Sequence, residues 1–318
     1  MLMILVMTTL YAISSSNWIS MWVCLEVNTL MMCFMMSQES KTKKCSQKQS
    51  LLYIIVQMMI SVLLLLCISI NQLMKPMMFS MMITILLMAK MGSWPFHKWY
   101  LKLIMSMSLN NISMPLLMTW QKIIPCILVT MSLTNNNQST IYITITMVIM
   151  NMIIPVIMLK TLTSIKSLLA LSSLNNNGWL FLSTMVSIKT FSLFLIFYSV
   201  SLYMVMNYLP LSNKKVDMIK TPLWVTSTLL MNISGLPPFS MFWMKLLVMK
   251  TIMLNNFPTE MIMVMMLTAC IFMYNYMWNF LNQCMNMPMK TQMSTKSNYT
   301  LPMITTPLIS TISILTIL

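Results

Sequence analysis

Arginine is absent from this 318-residue chain, acidic residues number four, glycines three and histidines one. Each scarcity closes off a class of function. Three glycines leave no Gly-rich phosphate loop, and with it no signature of a nucleotide fold. The seven cysteines (Cys24, Cys33, Cys45, Cys67, Cys126, Cys270, Cys284) never form a CxxC pair and have one histidine to work with. Neither a metal nor an iron–sulfur site is therefore expected, and the cysteines read as small buried hydrophobes. Four acids supply no intramembrane aspartate pair for Na⁺. Charged residues make up only 7% of the chain against 58% hydrophobic ones, too little polar surface to face water. The solvent must be lipid.

What is present fits that solvent. Nineteen lysines give a formal net charge of +15, which in a soluble protein would suggest nucleic acid. Here they are scattered between apolar blocks, as in membrane topology, and no nucleic-acid partner is expected. The 46 methionines, with abundant Lys, Asn and Ile, look like the drift of an A+T-rich mitochondrial genome in which methionine has extra codons. Methionine is also a flexible apolar filler, so such helices still pack. An apolar stretch follows Met1 directly, and neither a cleaved signal peptide nor an Arg-rich transit peptide is expected.

A helix needs about 20 apolar residues to cross the hydrocarbon core, and polar or Pro/Asn-rich breaks cut the chain into about eleven such pieces. The spans are 2–15, 18–36, 51–70, 77–99, 115–133, 141–159, 165–185, 187–206, 221–254, 261–281 and 301–318. The reading is an all-α polytopic membrane protein, 1–318 forming a single transmembrane domain. Lysine clusters follow the even-numbered spans: Lys41, Lys43, Lys44 and Lys48; Lys98 and Lys102; Lys160; Lys214, Lys215 and Lys220; Lys290 and Lys296. The positive-inside rule then puts these loops and the N-terminus on the side of synthesis, and the odd count puts the C-terminus across the membrane. Lys75 and Lys189 are exceptions.

An ionised Lys or Asp at a helix centre costs about 2.5–3.5 kcal/mol by insertion scales, which makes each one a functional candidate. Four stand out: Glu26 in WVCLEVNTLMM, Lys90 in ILLMAKMGSWPFHKW, Lys122 in LLMTWQKIIPCIL and Lys245 in SGLPPFSMFWMKLLVMK. The bland alternatives are a lysine snorkelling to the interface and, for Glu26, an interfacial helix cap. For Lys189 and Lys250, near span ends, the bland reading leads. All three glycines sit beside expected helix interruptions: Gly92 before Pro95, Gly178 after Asn175, Asn176 and Asn177, and Gly235 before Pro237 and Pro238. Broken helices are tolerated in membranes where protein or a water-filled cavity satisfies the freed backbone, and transporters place ion sites there. A lone kink is otherwise a packing device. His97 is a possible proton relay near neutral pH or, beside Lys98 and Trp99, an interface anchor.

At these residues the chain resembles the NADH dehydrogenase subunit 2 family, the antiporter-like proton-channel subunits of mitochondrial respiratory complex I, and within it the invertebrate members. The stretches SSSNWISMWVCLEVNTL, KMGSWPFHKW, TWQKIIP, SIKSLLALSSLNNNGWL and SGLPPFSMFWMK look like that family's landmark segments, in its order and at similar spacing. The resemblance implies an antiporter-like fold of inverted repeats with broken helices. It also implies a polar axis of Glu26 with Lys90, then Lys122, then Lys245. Three departures are visible: Asn176 stands where the family often has histidine, Leu101 and Lys102 where it has Pro-Glu, and Met241 and Met244 where it has Gly and Pro. The implied partners are other membrane-arm and accessory subunits and membrane lipids. The implied setting is the mitochondrial inner membrane, in the H⁺-translocating NADH:ubiquinone reductase. The chain shows no flavin, iron–sulfur or quinone-binding signature, so NADH, FMN, iron–sulfur clusters and ubiquinone are expected on other subunits, with no cofactor or redox site here.

A free lysine amine titrates near pH 10.4; burial in a dry site works against its charge and a neighbouring carboxylate favours it. Movement of Glu26 relative to Lys90 is then expected to switch that amine between keeping a proton and passing it to Lys122 and Lys245. Two other readings share the buried charges: a free-standing cation/proton antiporter, and a membrane-arm scaffold with no ion path.

Overall fold

The computed structural model describes residues 1–39, 44–70, 76–107, 113–133, 138–160, 164–208, 223–255 and 257–285. Among them all regular structure is helical. Lipid offers no partner to a free N–H or C=O, and a helix satisfies both within one segment. The chain divides into two compact units, Met1–Met185 and Val186–Leu318.

The first unit contains α1 (Leu2–Ser14), α2 (Trp18–Glu39), α3 (Lys44–Ser69), α4 (Pro76–Lys90), α5 (His97–Ser106) and α6 (Ser113–Met118). A 3-10 turn (Trp120–Lys122) then leads into α7 (Ile123–Leu133), α8 (Gln138–Met158) and α9 (Ile165–Val186). Helix α2 packs on α1 and α3, α3 on α4 and α5, and α4 on α7 and α8. The second unit contains α10 (Ile188–Tyr208), α11 (Leu223–Ser234), α12 (Ser240–Leu254) and α13 (Thr259–Met285). There α11 packs on α10, α12 and α13.

Among the described residues, six stretches are long and apolar enough to cross a membrane: Trp18–Gln38, Lys48–Ser69, Ser113–Ser132, Thr140–Met158, Ile188–Asn207 and Thr259–Asn279. Two shorter apolar helices, Leu2–Ser14 and Met77–Lys90, accompany them. The chain is thus a multi-pass membrane protein. The expected spans 77–99, 115–133 and 221–254 are each interrupted, as α4/α5, α6/α7 and α11/α12. The expected span 301–318 lies outside the described residues, as do Lys41, Lys43, Lys75, Lys214, Lys215, Lys220, Lys290 and Lys296. Lys98, Lys102, Lys160, Lys189 and Lys250 are exposed.

The outer faces are apolar. On α3, Leu51, Ile55, Met59, Val62 and Leu66 are 58%, 62%, 66%, 53% and 47% exposed and recur every three or four residues, a helical stripe turned outward. Lipid solvates such a stripe at no cost. That corrects the reading of the cysteines: Cys24 and Cys126 are buried, but Cys33 and Cys67 are half-buried and Cys270 is exposed. Beside hydrocarbon an apolar thiol gains little by moving inward. The opposite case is α9, whose residues from Ser167 to Thr184 are all buried despite their serines and asparagines.

Candidate functional site

The first break begins where α4 ends on Lys90. The amides of Met91, Gly92 and Ser93 turn back to the carbonyls of Leu87, Ala89 and Met88, and Gly92 lies in the left-handed region at φ +70°. The Ser93-to-Met88 and Gly92-to-Ala89 bonds make a Schellman cap, which requires that conformation and favours glycine. There is also no room for a side chain: a Cβ on Gly92 would stand 2.5 Å from Tyr100 Cβ. The break is held from both sides, since Gln57 on α3 donates to the Lys90 carbonyl at 3.0 Å and Asn151 on α8 accepts from the Trp94 amide at 2.6 Å.

Lys90 itself reaches the other way. Its amine donates to Glu26 Oε1 on α2 at 3.2 Å, with side-chain exposures of 2% for the lysine and 12% for the glutamate. The expected Glu26–Lys90 pairing is present as a contact, linking residues 64 apart in sequence. Further polar atoms are buried on α2 and α3: Asn28 Oδ1, Tyr53 Oη and Gln57 Oε1 have no hydrogen-bond partner among the described residues.

Lys122 lies at the second interruption. Pro125 has no N–H with which to hold the Gln121 carbonyl, and its ring crowds that carbonyl, which disfavours a regular helix through this point. The chain passes instead through the 3-10 turn Trp120–Lys122, opened by Thr119, whose hydroxyl donates to the Pro115 carbonyl at 2.8 Å. Lys122 is 1% exposed. Its amine donates to Tyr100 Oη at 3.2 Å and lies 5.0 Å from the centre of the same ring. Tyr100 Oη is 2.8 Å from Ser173 Oγ on α9, and Ser173 donates to the Ala170 carbonyl at 2.7 Å. One residue from Lys90, Met91 Sδ meets Cys126 Sγ at 3.8 Å, so the two lysine-bearing breaks are packed together.

The third break, in the second unit, repeats the first cap. The amides of Gly235 and Leu236 return to the carbonyls of Asn232 and Met231, with Gly235 at φ +85°. Lys245, 5% exposed and one helix later, donates to the Ser234 carbonyl at 2.8 Å. A Cβ on Gly235 would stand 3.1 Å from that amine. The cation thus sits at the carbonyl end of α11, where the helix dipole favours positive charge.

Gly178 behaves otherwise. Helix α9 runs unbroken through Asn175, Asn176, Asn177 and Gly178, correcting the expected interruption there. A Cβ on Gly178 would meet Met152 Cγ at 2.8 Å, so this glycine admits close packing of α8 rather than a kink. His97 opens α5 and is buried at 8% exposure, with Nδ1 unpartnered among the described residues. Sequence reasoning missed Gln57, Tyr100, Asn151 and Ser173, and also Lys166, which caps the end of α5 by donating to the Met107 carbonyl at 3.1 Å. The first four are uncharged, and uncharged residues in apolar runs carry no cost signal in sequence, while Lys166 sits at the start of α9, where a lysine is ordinary. Proximity alone reveals them. No group of three or more His, Cys, Asp or Glu side chains able to hold a metal converges among the described residues.

Residues 15–272 match the model of the NADH:quinone oxidoreductase/Mrp antiporter transmembrane family. The chain belongs to that family. The match takes in Glu26, Lys90, Lys122 and Lys245 together with all three breaks. Within the family, the chain is 32% identical over 288 residues to NADH-ubiquinone oxidoreductase chain 2 of Locusta migratoria, covering 86% of this chain and 81% of the relative. The chain 2 protein of Lumbricus terrestris is 28% identical over 298 residues, covering 89% and 85%. Among solved structures, a chain of respiratory complex I from Thermus thermophilus superposes with a TM-score of 0.71 at 13% identity, covering 98% of this chain and 74% of that one. A chain of the Mrp complex from Dietzia sp. gives 0.69 at 15% identity, over 86% of this chain and 58% of that one. The antiporter-type fold of the family is therefore the fold of this chain.

Proposed function

We propose that this chain is a proton-translocating, antiporter-like membrane subunit of respiratory complex I, seated with other membrane-arm subunits in the mitochondrial inner membrane. Its family and the chain 2 relatives support the assignment to the complex. One observation carries the proton reading: Lys90, Lys122 and Lys245 are buried at 3%, 1% and 5% exposure, each at or packed against a helix break. Roughly 2.5–3.5 kcal/mol per buried lysine is a cost that apolar packing would avoid, and a proton path explains why it is kept.

In this proposal, Glu26, Lys90 and Lys122 form one proton-handling group, and Lys245 handles protons in the second unit. The 3.2 Å contact holds a proton on Lys90 by charge attraction, and withdrawal of Glu26 frees it to leave. His97 is an accessory relay. Moving one charge against 100 mV takes about 2.3 kcal/mol, which redox chemistry on other subunits supplies. Those subunits hold NADH, FMN, iron–sulfur clusters and ubiquinone; this chain contributes the proton movement of the NADH:ubiquinone reductase reaction.

The test replaces Lys90, Lys122 and Lys245 singly by Ala in the assembled complex and measures protons moved per NADH oxidised. Each replacement lowers that ratio; full pumping in all three ends the proposal. A free-standing cation/proton antiporter would place lysines at breaks in the same manner, and the native size separates the two. On the present reading the chain migrates within a very large assembly.

A further inference from the structure

We propose that Tyr100 and Ser173 form a hydroxyl relay that carries the Lys122 proton to water held at Asn177 on α9. The inference rests on the proton-translocation reading and adds residues to it. Lys122, as an ammonium, can only donate, so Tyr100 Oη accepts at 3.2 Å. Ser173 already commits its hydrogen to the Ala170 carbonyl at 2.7 Å, so at the 2.8 Å contact Tyr100 donates and Ser173 accepts. The three groups thus form a hydrogen-bond chain of one sense, from amine to phenol to hydroxyl. All three are buried: Lys122 and Tyr100 are 1% exposed and Ser173 0%.

The chain has somewhere to go. Asn177 lies four residues beyond Ser173 and hence on the same face of α9. It is 0% exposed, and both its Oδ1 and Nδ2 lack a hydrogen-bond partner among the described residues. Asn176 Nδ2, three residues beyond Ser173, is unpartnered as well. A buried amide that the protein leaves unbonded is satisfied by water, and donor and acceptor atoms together provide the polar contacts a water needs. The relay balances without any further reactant. The Nζ–H bond of Lys122 breaks as an O–H bond forms on Tyr100; the phenol's own proton moves to Ser173; and Ser173 turns its hydrogen from the Ala170 carbonyl onto the water. One positive charge leaves Lys122 and appears on that water, while both hydroxyls end as they began.

The position of Tyr100 is fixed by the first break. Gly92 is the residue whose absent Cβ makes room for Tyr100, and Trp99 meets the Tyr100 ring edge-on at 6.0 Å. A change at the Lys90 break therefore reaches Lys122 through the phenol. Tyr100 is thus packed against the first break while bonded to Lys122.

The experiment uses the assembled complex in sealed vesicles and measures protons moved per NADH oxidised, together with the solvent deuterium isotope effect. Tyr100→Phe keeps the ring and removes the hydroxyl; Ser173→Ala removes the second hydroxyl, and Ser173→Thr restores one. A positioned proton-transfer group is typically worth about 10²–10⁴-fold in its step. The expected result is pumping lowered toward that of Lys122→Ala in Tyr100→Phe and Ser173→Ala, a larger isotope effect in both, and recovery in Ser173→Thr. Wild-type pumping in Tyr100→Phe and Ser173→Ala, with pumping lost in Lys122→Ala, overturns the relay and leaves the proton reading standing. Full pumping in Lys122→Ala removes the reading beneath it. Should Tyr100→Phe fail to assemble, the Ser173 pair decides: equal pumping in Ala and Thr overturns the relay.

Discussion

Alanine at Gly92 and alanine at Gly178 should have very different consequences, although both glycines are buried and both would bring a Cβ within 3 Å of a neighbour. At Gly92 the backbone is left-handed, φ +70°, which costs an L-residue about 1–2 kcal/mol. The added Cβ would also stand 2.5 Å from Tyr100 Cβ and 2.9 Å from its Cγ, atoms fixed to the α5 backbone. Relief requires α5 to shift, an overpacking cost of about 1–3 kcal/mol. The sum is roughly 2–5 kcal/mol, spent where Lys90, Tyr100 and Lys122 are held.

At Gly178 the backbone is ordinary helix, where alanine is favoured over glycine by about 1 kcal/mol. The obstacle is Met152, met at Cγ and Cε at 2.8 and 2.9 Å, and a methionine has three rotatable bonds with which to move aside. The two terms offset to within about 1–2 kcal/mol. Native gels reading the assembled fraction after graded heating, with protons per NADH measured on what survives, should therefore rank Gly92→Ala far below Gly178→Ala. In the surviving Gly92→Ala complex coupling should fall as well, since Tyr100 is displaced from Lys122. An equal loss at both glycines, or a greater one at Gly178, would refute the assignment of Gly92 to the break and Gly178 to packing.

Breaking the Glu26–Lys90 pair from one side leaves a buried partner uncompensated, at a cost of about 3–5 kcal/mol. Stability of the assembled complex should therefore drop more for Glu26→Ala or Lys90→Ala alone than additivity with the double variant allows, and a double-mutant cycle with no coupling would deny the contact. Lys245→Arg keeps the charge but puts a planar fork where one amine fits between the Ser234 carbonyl and Gly235, 3.1 Å from where a Cβ would lie. Protons per NADH should fall in that variant nearly as far as in Lys245→Ala; undiminished pumping would show that charge alone matters at this position.

Charge in an apolar run is conspicuous because it is costly, and that is why Glu26, Lys90, Lys122 and Lys245 could be picked out of the sequence. The Lys90 and Lys245 breaks were legible for a related reason: a scarce glycine beside prolines has few uses in a membrane helix other than a cap. Gly178 shows the limit of that inference. Its neighbours Asn175, Asn176 and Asn177 look like a helix-breaking run, but α9 is enclosed by protein, and a helix so enclosed holds its backbone bonds whatever its side-chain polarity. The interruption at Lys122 was hidden for the converse reason. Its cause is Pro125, three residues downstream, and a proline in the first turn of a helix usually signals a start rather than a break.

The two glycine caps have the same backbone and opposite electrostatics. At the first, an uncharged amide, Gln57, takes the Lys90 carbonyl, and the lysine amine is left to meet a carboxylate on another helix. At the second, the lysine amine itself takes the carbonyl of the capping residue, Ser234, at the end of α11. A carboxylate can swing away from its lysine by rotamer change alone, whereas a helix-end carbonyl withdraws only if the cap unwinds. On the proton-translocating function proposed above, Lys90 would respond to side-chain motion of Glu26. On the same proposal Lys245 would respond to motion of its own broken helix. If the proposed function holds and redox chemistry on other subunits drives this chain, both kinds of response have a use: a light side-chain trigger near one lysine, and a backbone element that a distant push can move at another. The glycines are what allow one cap geometry to serve both, because each leaves the volume of a methyl group free beside a group that must hold its place: the Tyr100 ring at the first break, the Lys245 amine at the second.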